Sequence, residues 1–257
     1  MKNNNIKYDL LIILFLPIAC FLMYLLLNDE TRKYKDNNLV KEFIITSKTN
    51  NNIVKLSNDK ENLNSSKVII EDKKLSVKDY QDKYNNTDIK AILSINNTKI
   101  NTVLLQSYDN NYYLRRLPNK KKHITGSVFI DYRTDLVTDK NVIIYGHNAN
   151  NYDIPFKYLR NYLKEEFYKN NKYIDIETEN ENLKYEIFSV YVSYGDYKHL
   201  DISFNSEESF LNHLNYLKSK SIYGTSASLS ASDSIITLQT CLLKDDALIV
   251  VCAKKIL

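Results

Sequence analysis

Short apolar runs separated by polar turns dominate the chain after about residue 88, and this pattern is typical of β-strands. Near the C-terminus, the runs at residues 234–241 and 247–253 flank the polar turn Lys244-Asp245-Asp246 and predict an antiparallel hairpin. Earlier strands are predicted at residues 92–95, 102–106, 173–177 and 183–193. The pattern therefore predicts a mainly β domain.

Two segments of this domain repeat their apolar residues at helical spacing instead. The first begins at Asp153 or Ile154 and ends near Asn170. Its apolar stripe consists of Phe156, Leu159, Leu163 and Phe167. The second covers about residues 206–219, and its inward side chains are Phe210, Leu214 and Leu217. Both segments predict helices that pack against the strands.

An uninterrupted run of uncharged, mostly apolar residues lies near the N-terminus, at residues 10–27. As a helix it would span roughly 27 Å, enough for the apolar core of a bilayer, and no small-residue cleavage motif follows it. We therefore expect a short tail at residues 1–9, a transmembrane anchor at 10–27, a polar stalk with short helical pieces at 28–87 and a compact domain at 88–257. Ser76 is expected to cap a helix that ends at Tyr84.

The composition narrows the classes of function. Hydrophobic residues make up 44% of the chain, and 21 Tyr against no Trp fit a β-rich fold with a full core. The 35 basic and 31 acidic residues leave a diffuse net charge of +4, so nothing indicates a nucleic-acid-binding protein. No carboxylate cluster indicates a metal site, and we expect no cofactor.

The three cysteines are Cys20, Cys241 and Cys252, and the first lies in the apolar N-terminal run. If Cys241 faces Leu248 across the hairpin, antiparallel pairing brings Cys252 opposite Thr237, several residues away. A disulfide between Cys241 and Cys252 is therefore not expected. Cys241 ends its strand beside a polar turn, where a thiol can be a nucleophile if a base lies nearby, or else a small buried hydrophobe.

Two motifs favour the nucleophile. Residues 237–241 read Thr-Leu-Gln-Thr-Cys, which resembles the TLxTC signature of the sortases, the cysteine transpeptidases of Gram-positive cell surfaces. Residues 141–148 read Asn-Val-Ile-Ile-Tyr-Gly-His-Asn and resemble the strand and loop that carry the sortase histidine. The order and the spacing of the motifs also match the family. By this resemblance, Cys241 is the nucleophile and His147 is its acid and base.

Two further segments resemble the class B sortases in particular. Residues 109–114 match a DNxYYL string, and residues 126–133 match a GSIFxDYR segment. The helix predicted at residues 206–219 corresponds to the extra helix that distinguishes class B from the smaller class A enzymes. The resemblance therefore implies a sortase-like β-barrel with peripheral helices, preceded by the N-terminal transmembrane helix.

The resemblance also implies a location and partners. The protein would be a single-pass protein of the cell membrane, with a cytoplasmic N-terminus and an extracellular catalytic domain. Its substrates would be secreted proteins with a C-terminal, Thr-containing sorting signal, and a peptidoglycan-precursor amine would accept the acyl group. Thr240 is a candidate substrate-binding residue. His123, His199 and His213 fall in no motif, and we expect them to be solvated or structural.

The chain departs from the family at its arginine, which orients the substrate and stabilises the oxyanion. This residue is expected at Leu248, or at Ala247 if the turn differs, yet no arginine follows Arg160. Lys244 could supply a point charge in its place. Two alternatives to an enzyme stay open: a catalytically weak or silent protein that binds sorting signals, and a structural envelope protein that only docks partners.

Overall fold

The computed structural model describes residues 3–43, 74–242 and 246–257, which fall into two compact units. The first unit, Met1–Glu42, contains helix α1 (Asn3–Glu42), and the predicted transmembrane segment at residues 10–27 falls within it. Most side chains of that segment lie outside the described part of the chain. Across the described residues, no helix is both long and apolar enough to cross a membrane, so the structure does not support the predicted transmembrane helix.

The middle of the predicted stalk, residues 44–73, lies outside the described residues. Beyond it, helix α2 (Val77–Tyr84) has the predicted bounds. The hydroxyl of Ser76 accepts a hydrogen bond from the backbone N–H of Asp79, and the Asp79 carboxylate accepts one from the Ser76 N–H. This reciprocal capping box satisfies donors that the first turn of a helix leaves unpaired.

Eight strands form a closed barrel within the second unit, which confirms the predicted mainly β fold. In chain order they are β1 (Ile89–Ser94), β2 (Asn101–Leu105), β3 (Phe129–Ile130), β4 (Asn141–Tyr145), β5 (Tyr173–Thr178), β6 (Asn182–Ser193), β7 (Ile235–Cys241) and β8 (Leu248–Lys255). Around the barrel their order is β1-β2-β3-β4-β7-β8-β6-β5. The pairs β2/β3 and β4/β7 are parallel, and the other pairs are antiparallel.

Alternation along the strands separates the barrel interior from its outer face. On β7, Ile236 and Leu238 belong to the interior core. On β8, Cys252 points outward and packs beneath helix α4 (Glu207–Lys220), the second predicted helix. The predicted inward residues of α4 are buried there: Phe210, Leu214 and Leu217. Thr237 faces Cys252 and therefore also points outward. Cys241 follows Thr237 by four residues, so its side chain lies on the same outer face.

The C-terminal hairpin has the predicted register. Cys241 faces Leu248, and Thr237 faces Cys252. The two cysteines are thus separated by four residues along β7, or roughly 13 Å, and both are free thiols. The turn residues 243–245, which include Lys244, lie outside the described residues.

The first predicted helix differs from the expectation. Residues Pro155–Leu163 form a 3-10 helix, and only Glu165–Asn170 form an α-helix, α3. The buried side chains of the first segment are Phe156, Leu159 and Tyr162. They recur at every third position, which is the repeat of a 3-10 helix rather than the 3.6 residues of an α-helix. Leu163, predicted to lie in the apolar stripe, is only partly buried.

Phe156 is completely buried, and its ring lies against Gly146, the residue before the candidate catalytic histidine. We expect Phe156→Ala to lower the free energy of unfolding by about 3–5 kcal/mol, because it leaves a cavity in the core. Urea unfolding followed by circular dichroism measures the change. Phe167→Ala is the matched control, since Phe167 is only partly buried. Equal losses in the two variants would contradict the prediction.

Candidate active site

The parallel pairing of β4 with β7 brings the two main motifs together. Tyr145 faces Gln239 in the last step of this ladder. Parallel strands run in the same direction, so the residues just beyond this step emerge at the same edge of the barrel. These residues include His147, two positions after Tyr145, and Cys241, two positions after Gln239. The pairing therefore sets the candidate base beside the candidate nucleophile.

A cleft of about 310 Å³ opens at this edge, and both candidate catalytic side chains line it. Cys241 is exposed, and His147 is partly buried. The other lining residues are Asn110, Leu114, Phe129, Tyr145, Gly146, Gln239 and Thr240. Each of the motif segments at residues 109–114, 126–133, 141–148 and 237–241 contributes to this wall.

Cys241 and Cys252 have opposite environments. Cys252 is completely buried, and burial raises the pKa of its thiol to about 12, so it is inert near neutral pH. Cys241 is exposed to the cleft. The side-chain Nδ2 of Asn148 donates a hydrogen bond to the backbone carbonyl of Cys241 at 2.9 Å. This contact fixes the end of β7 against the loop that carries His147.

The orientation of His147 is set by a backbone carbonyl. Its Nε2 lies 2.8 Å from the oxygen of Leu114. Because a carbonyl oxygen can only accept, Nε2 donates, and Nδ1 is the nitrogen that can take up a further proton. Gly126 packs against the same carbonyl with a left-handed φ of +55°, and a Cβ there would overlap the Leu114 oxygen. A glycine at this position of the 126–133 motif therefore leaves room for the Leu114 carbonyl that accepts the hydrogen bond from His147.

Burial lowers the pKa of His147, the Leu114 hydrogen bond opposes this effect, and Arg115 lowers the pKa further, with a net decrease. The Arg115 Nη1 lies 3.4 Å from Nε2 and also donates to the carbonyl of Ile124 at 2.7 Å. Since Nε2 and the guanidinium are both donors, their contact is the close approach of a cation. The imidazole is therefore neutral near pH 7. Sequence reasoning missed Arg115, because no pattern shows that this turn folds back onto His147.

The buried carboxylate of Asp131 ties three motif segments together. It accepts hydrogen bonds from Asn110 Nδ2 at 3.0 Å, from the Tyr145 hydroxyl at 2.9 Å and from Arg133 Nη2 at 2.8 Å. Burial alone would raise the pKa of Asp131, but these bonds, with Arg133 foremost, hold it below its usual value. Asn110 and Tyr145 line the cleft, so Asp131 anchors two of its walls.

The position expected for the family arginine lies beside Cys241 and is apolar. Leu248 faces Cys241 across the hairpin and is partly buried, and Ala247 is buried. Among the described residues, no lysine or arginine lines the cleft. Thr240, the candidate substrate-binding residue, borders the cleft, but its hydroxyl is buried without a hydrogen-bond partner in the described part of the chain.

The remaining histidines lie outside the cleft. His199 is completely buried, which excludes the solvated alternative, and its Nε2 lies 2.6 Å from Oε1 of Gln239. His213 lies on the buried face of α4, and this burial lowers its pKa to about 4. His123 contacts the hydroxyl of Thr125. No group of three or more His, Cys, Asp or Glu among the described residues is arranged to hold a metal ion.

Comparison with known proteins agrees with this geometry. The sortase-domain family model matches residues 93–256. The chain belongs to the sortase family. The sortase B of Listeria monocytogenes is 38% identical over 157 residues, which cover 61% of this chain and 63% of that protein. The sortase B of Staphylococcus aureus is 29% identical over 61% of this chain and 64% of its own length. This sortase chain thus spans slightly less than two thirds of these relatives.

Two solved structures that resemble this sortase are sortases of class B. Clostridium perfringens sortase B is 32% identical, with a TM-score of 0.64 and coverage of 70% of this chain and 100% of that chain. A Staphylococcus aureus sortase B–substrate complex is 27% identical, with a TM-score of 0.65 and coverage of 70% and 86%. The predicted similarity to class B is therefore confirmed.

The environments of the two cysteines predict different reactivities. In the native protein at about pH 7.5, iodoacetamide should modify the exposed Cys241 and leave the buried Cys252 intact. In urea, both residues should react. Peptide mapping by mass spectrometry identifies the modified sites. Modification of Cys252 at the same rate as Cys241 without denaturant would contradict the burial on which this prediction depends.

The guanidinium beside His147 predicts a shift in its titration. Arg115→Gln removes a nearby positive charge, so the pKa of His147 should rise. NMR titration of the imidazole ring proton, assigned with His147→Asn, measures this change without any substrate. Arg116→Gln is the matched control, because Arg116 packs over the Tyr112 ring. A lower or unchanged pKa in Arg115→Gln would refute the assigned role of the cation.

Proposed function

We propose that this chain is a class B-type sortase, a cysteine transpeptidase that acts on a Thr-containing sorting signal. The observation that carries the proposal is the shared cleft of Cys241 and His147, at the ends of two parallel strands of a sortase-family barrel. A nucleophilic thiol and a titratable imidazole in one cleft are the two groups that acyl transfer from a peptide requires.

The proposed reaction has two halves. In the first, the Cys241 thiol gives its proton to the neutral His147 as its sulfur attacks the carbonyl carbon of the Thr residue. The imidazolium formed in this way gives the proton to the leaving amine as the C–N bond breaks. The product is a thioacyl enzyme. In the second, the amine of a peptidoglycan precursor attacks the same carbon, its proton passes to His147, and the C–S bond breaks. The released sulfur takes the proton back from His147, which restores the thiol and the neutral imidazole. Neither half needs a metal or a redox cofactor.

The similar proteins support both partners of this reaction. One Staphylococcus aureus sortase B structure is a complex with substrate, and another sortase B structure is a complex with triglycine. A substrate and triglycine, a short peptide with a free amine, are therefore ligands of similar proteins. For this chain, we infer secreted proteins with a sorting signal as acyl donors and a peptidoglycan amine as the acceptor.

We further propose a membrane location. The support is the uncharged run at residues 10–27, which is long enough as a helix to span a bilayer core of about 30 Å with slight thinning. In this arrangement residues 1–9 are cytoplasmic, residues 28–87 form a stalk, and the catalytic domain at 88–257 is extracellular. Protease protection of the tail in intact cells, with digestion of the domain, tests the orientation.

A second candidate function is a catalytically silent protein that binds sorting signals. The observation that favours it is Leu248, which occupies the position beside Cys241 where the family arginine is expected. A structural envelope protein is less favoured, because it leaves the pairing of Cys241 with His147 unexplained, and Cys241 is exposed in the cleft rather than buried.

A labelled peptide of the NPQTN type distinguishes the two functions. Incubation with the protein should produce a thioacyl adduct on Cys241, detected by intact-mass spectrometry and absent from Cys241→Ala. Leu248→Arg should speed adduct formation, because a single oxyanion donor is worth about a hundred- to a thousandfold in rate. Leu248→Met is the matched control, since it changes the side chain without adding a donor, and its rate should be unchanged.

The outcomes separate the candidates. An adduct in the parent protein supports the transpeptidase. An adduct only in Leu248→Arg, together with peptide binding by the parent, supports the silent binding protein. No adduct in either protein with any peptide of a wider Thr-containing panel would overturn the proposed enzyme.

A further inference from the structure

Gln239 occupies the variable position of the TLxTC motif and lines the cleft with Cys241. The two residues are two positions apart on β7, so their side chains leave the same face of the strand roughly 7 Å from each other. A peptide whose carbonyl carbon reaches Cys241 therefore passes within reach of the Gln239 side chain. The motif itself does not assign a role to this position.

The Gln239 amide is held at one end. Its Oε1 lies 2.6 Å from Nε2 of His199. Since an amide oxygen accepts, the imidazole donates from Nε2. The other end of the amide, Nε2, has two protons to donate and no hydrogen-bond partner among the described residues. Gln239 thus enters the cleft with its acceptor occupied and its donor free.

His199 is itself fixed by a buried polar network. The Asn141 Nδ2 donates to the carbonyl of His199 at 3.2 Å and to that of Asp201 at 2.8 Å. The Thr237 hydroxyl donates to Asn141 Oδ1 at 2.9 Å. Burial lowers the pKa of His199, while its bond to Gln239 opposes the change, and the net effect is a decrease. A buried, neutral imidazole, whose backbone is anchored by Asn141, therefore holds Gln239 from outside the cleft.

The cleft otherwise lacks a cationic side chain that could donate a hydrogen bond to a bound peptide, at least in the described part of the chain. Leu248 cannot donate a hydrogen bond, and no lysine or arginine in the described part of the chain lines the cleft. An extended peptide presents backbone carbonyl oxygens, which bind best to N–H donors that are already oriented, because less side-chain entropy is lost. Gln239 provides an oriented, uncharged donor close to the nucleophile.

We propose that Gln239 is a substrate-binding residue whose Nε2 donates a hydrogen bond to a backbone carbonyl oxygen of the sorting peptide, and that His199 is the positioning residue that holds it. This inference rests on the proposed function, because it takes a sorting-signal peptide as the occupant of the cleft. A neutral amide then performs part of the orientation for which the family uses an arginine.

The first test measures peptide binding without turnover. The full-length chain carries Cys241→Ala, and fluorescence anisotropy gives the Kd of a labelled NPQTN-type peptide. Gln239→Glu should raise Kd at least about threefold. A carboxylate of the same size still accepts a hydrogen bond from His199 but has no proton to donate to the peptide. Asn215→Asp is the matched control: it makes the same amide-to-carboxylate change on the exposed face of α4 and should leave Kd unchanged.

The second test asks whether His199 acts through Gln239. His199→Leu should weaken binding to a similar extent, and His199→Gln, which keeps a donor near the same place, should restore part of the affinity. In a Gln239→Leu background, His199→Leu should have no further effect on Kd. A purely structural role of His199 would instead give effects that add in this double-mutant cycle.

Three outcomes distinguish the inference from the proposed function. Peptide binding that is unaltered by Gln239→Glu, in a variant with native circular dichroism, overturns the inference alone. Binding that depends on Gln239 but leads to no thioacyl adduct when Cys241 is present supports the inference and removes the transpeptidase. If no peptide of the Thr-containing panel binds, both the inference and the proposed function are overturned.

Discussion

The register between the parallel strands β4 and β7 is the constraint on which the site depends. Because side chains alternate between the two faces of a strand, a shift of one residue would turn Cys241 toward the barrel interior and Leu238 toward the cleft. The apolar interior fixes this register, since Ile236 and Leu238 can be buried only on one face. The hydrophobic core thus determines which face carries the thiol. The placement of Cys241 in the candidate site therefore follows from the packing of the barrel interior.

Local features of the fold could be predicted from the residue pattern, whereas the barrel and the meeting of Cys241 with His147 could be predicted only from the resemblance of their motifs. The Ser76 cap and the Cys241–Leu248 pairing depend on residues close together in the chain. The 3-10 helix at Pro155–Leu163 depends instead on where the core lies, which residue spacing alone does not show. In the same way, His147 is recognisable by its motif, whereas the contact of Arg115 with it requires the folded turn.

The site keeps the supporting residues of the sortase motifs but has Leu248 at the position where the family arginine is expected. The motif at residues 126–133 provides two supports: Asp131 anchors the walls of the cleft, and Gly126 leaves room for the carbonyl that orients His147. These supports are intact although Leu248 stands where a cation is expected. The scaffold of the site and its charge can therefore change independently, because different residues provide them. Membership of the sortase family follows from the scaffold, whereas the rate of the proposed reaction is expected to depend on the charge.

Asp131 also makes the shape of the cleft depend on acidity. Its pKa is lower in the folded state than in an unfolded chain, where a free aspartate titrates at about 3.9. Its contribution to folding is therefore complete above that value and is lost only as the pH falls through the folded one. In mildly acidic surroundings Asn110 and Tyr145 stay anchored, and protonation in strong acid would release both together. Asp131, which does not itself line the cleft, thus sets the lowest pH at which Asn110 and Tyr145 are held in place.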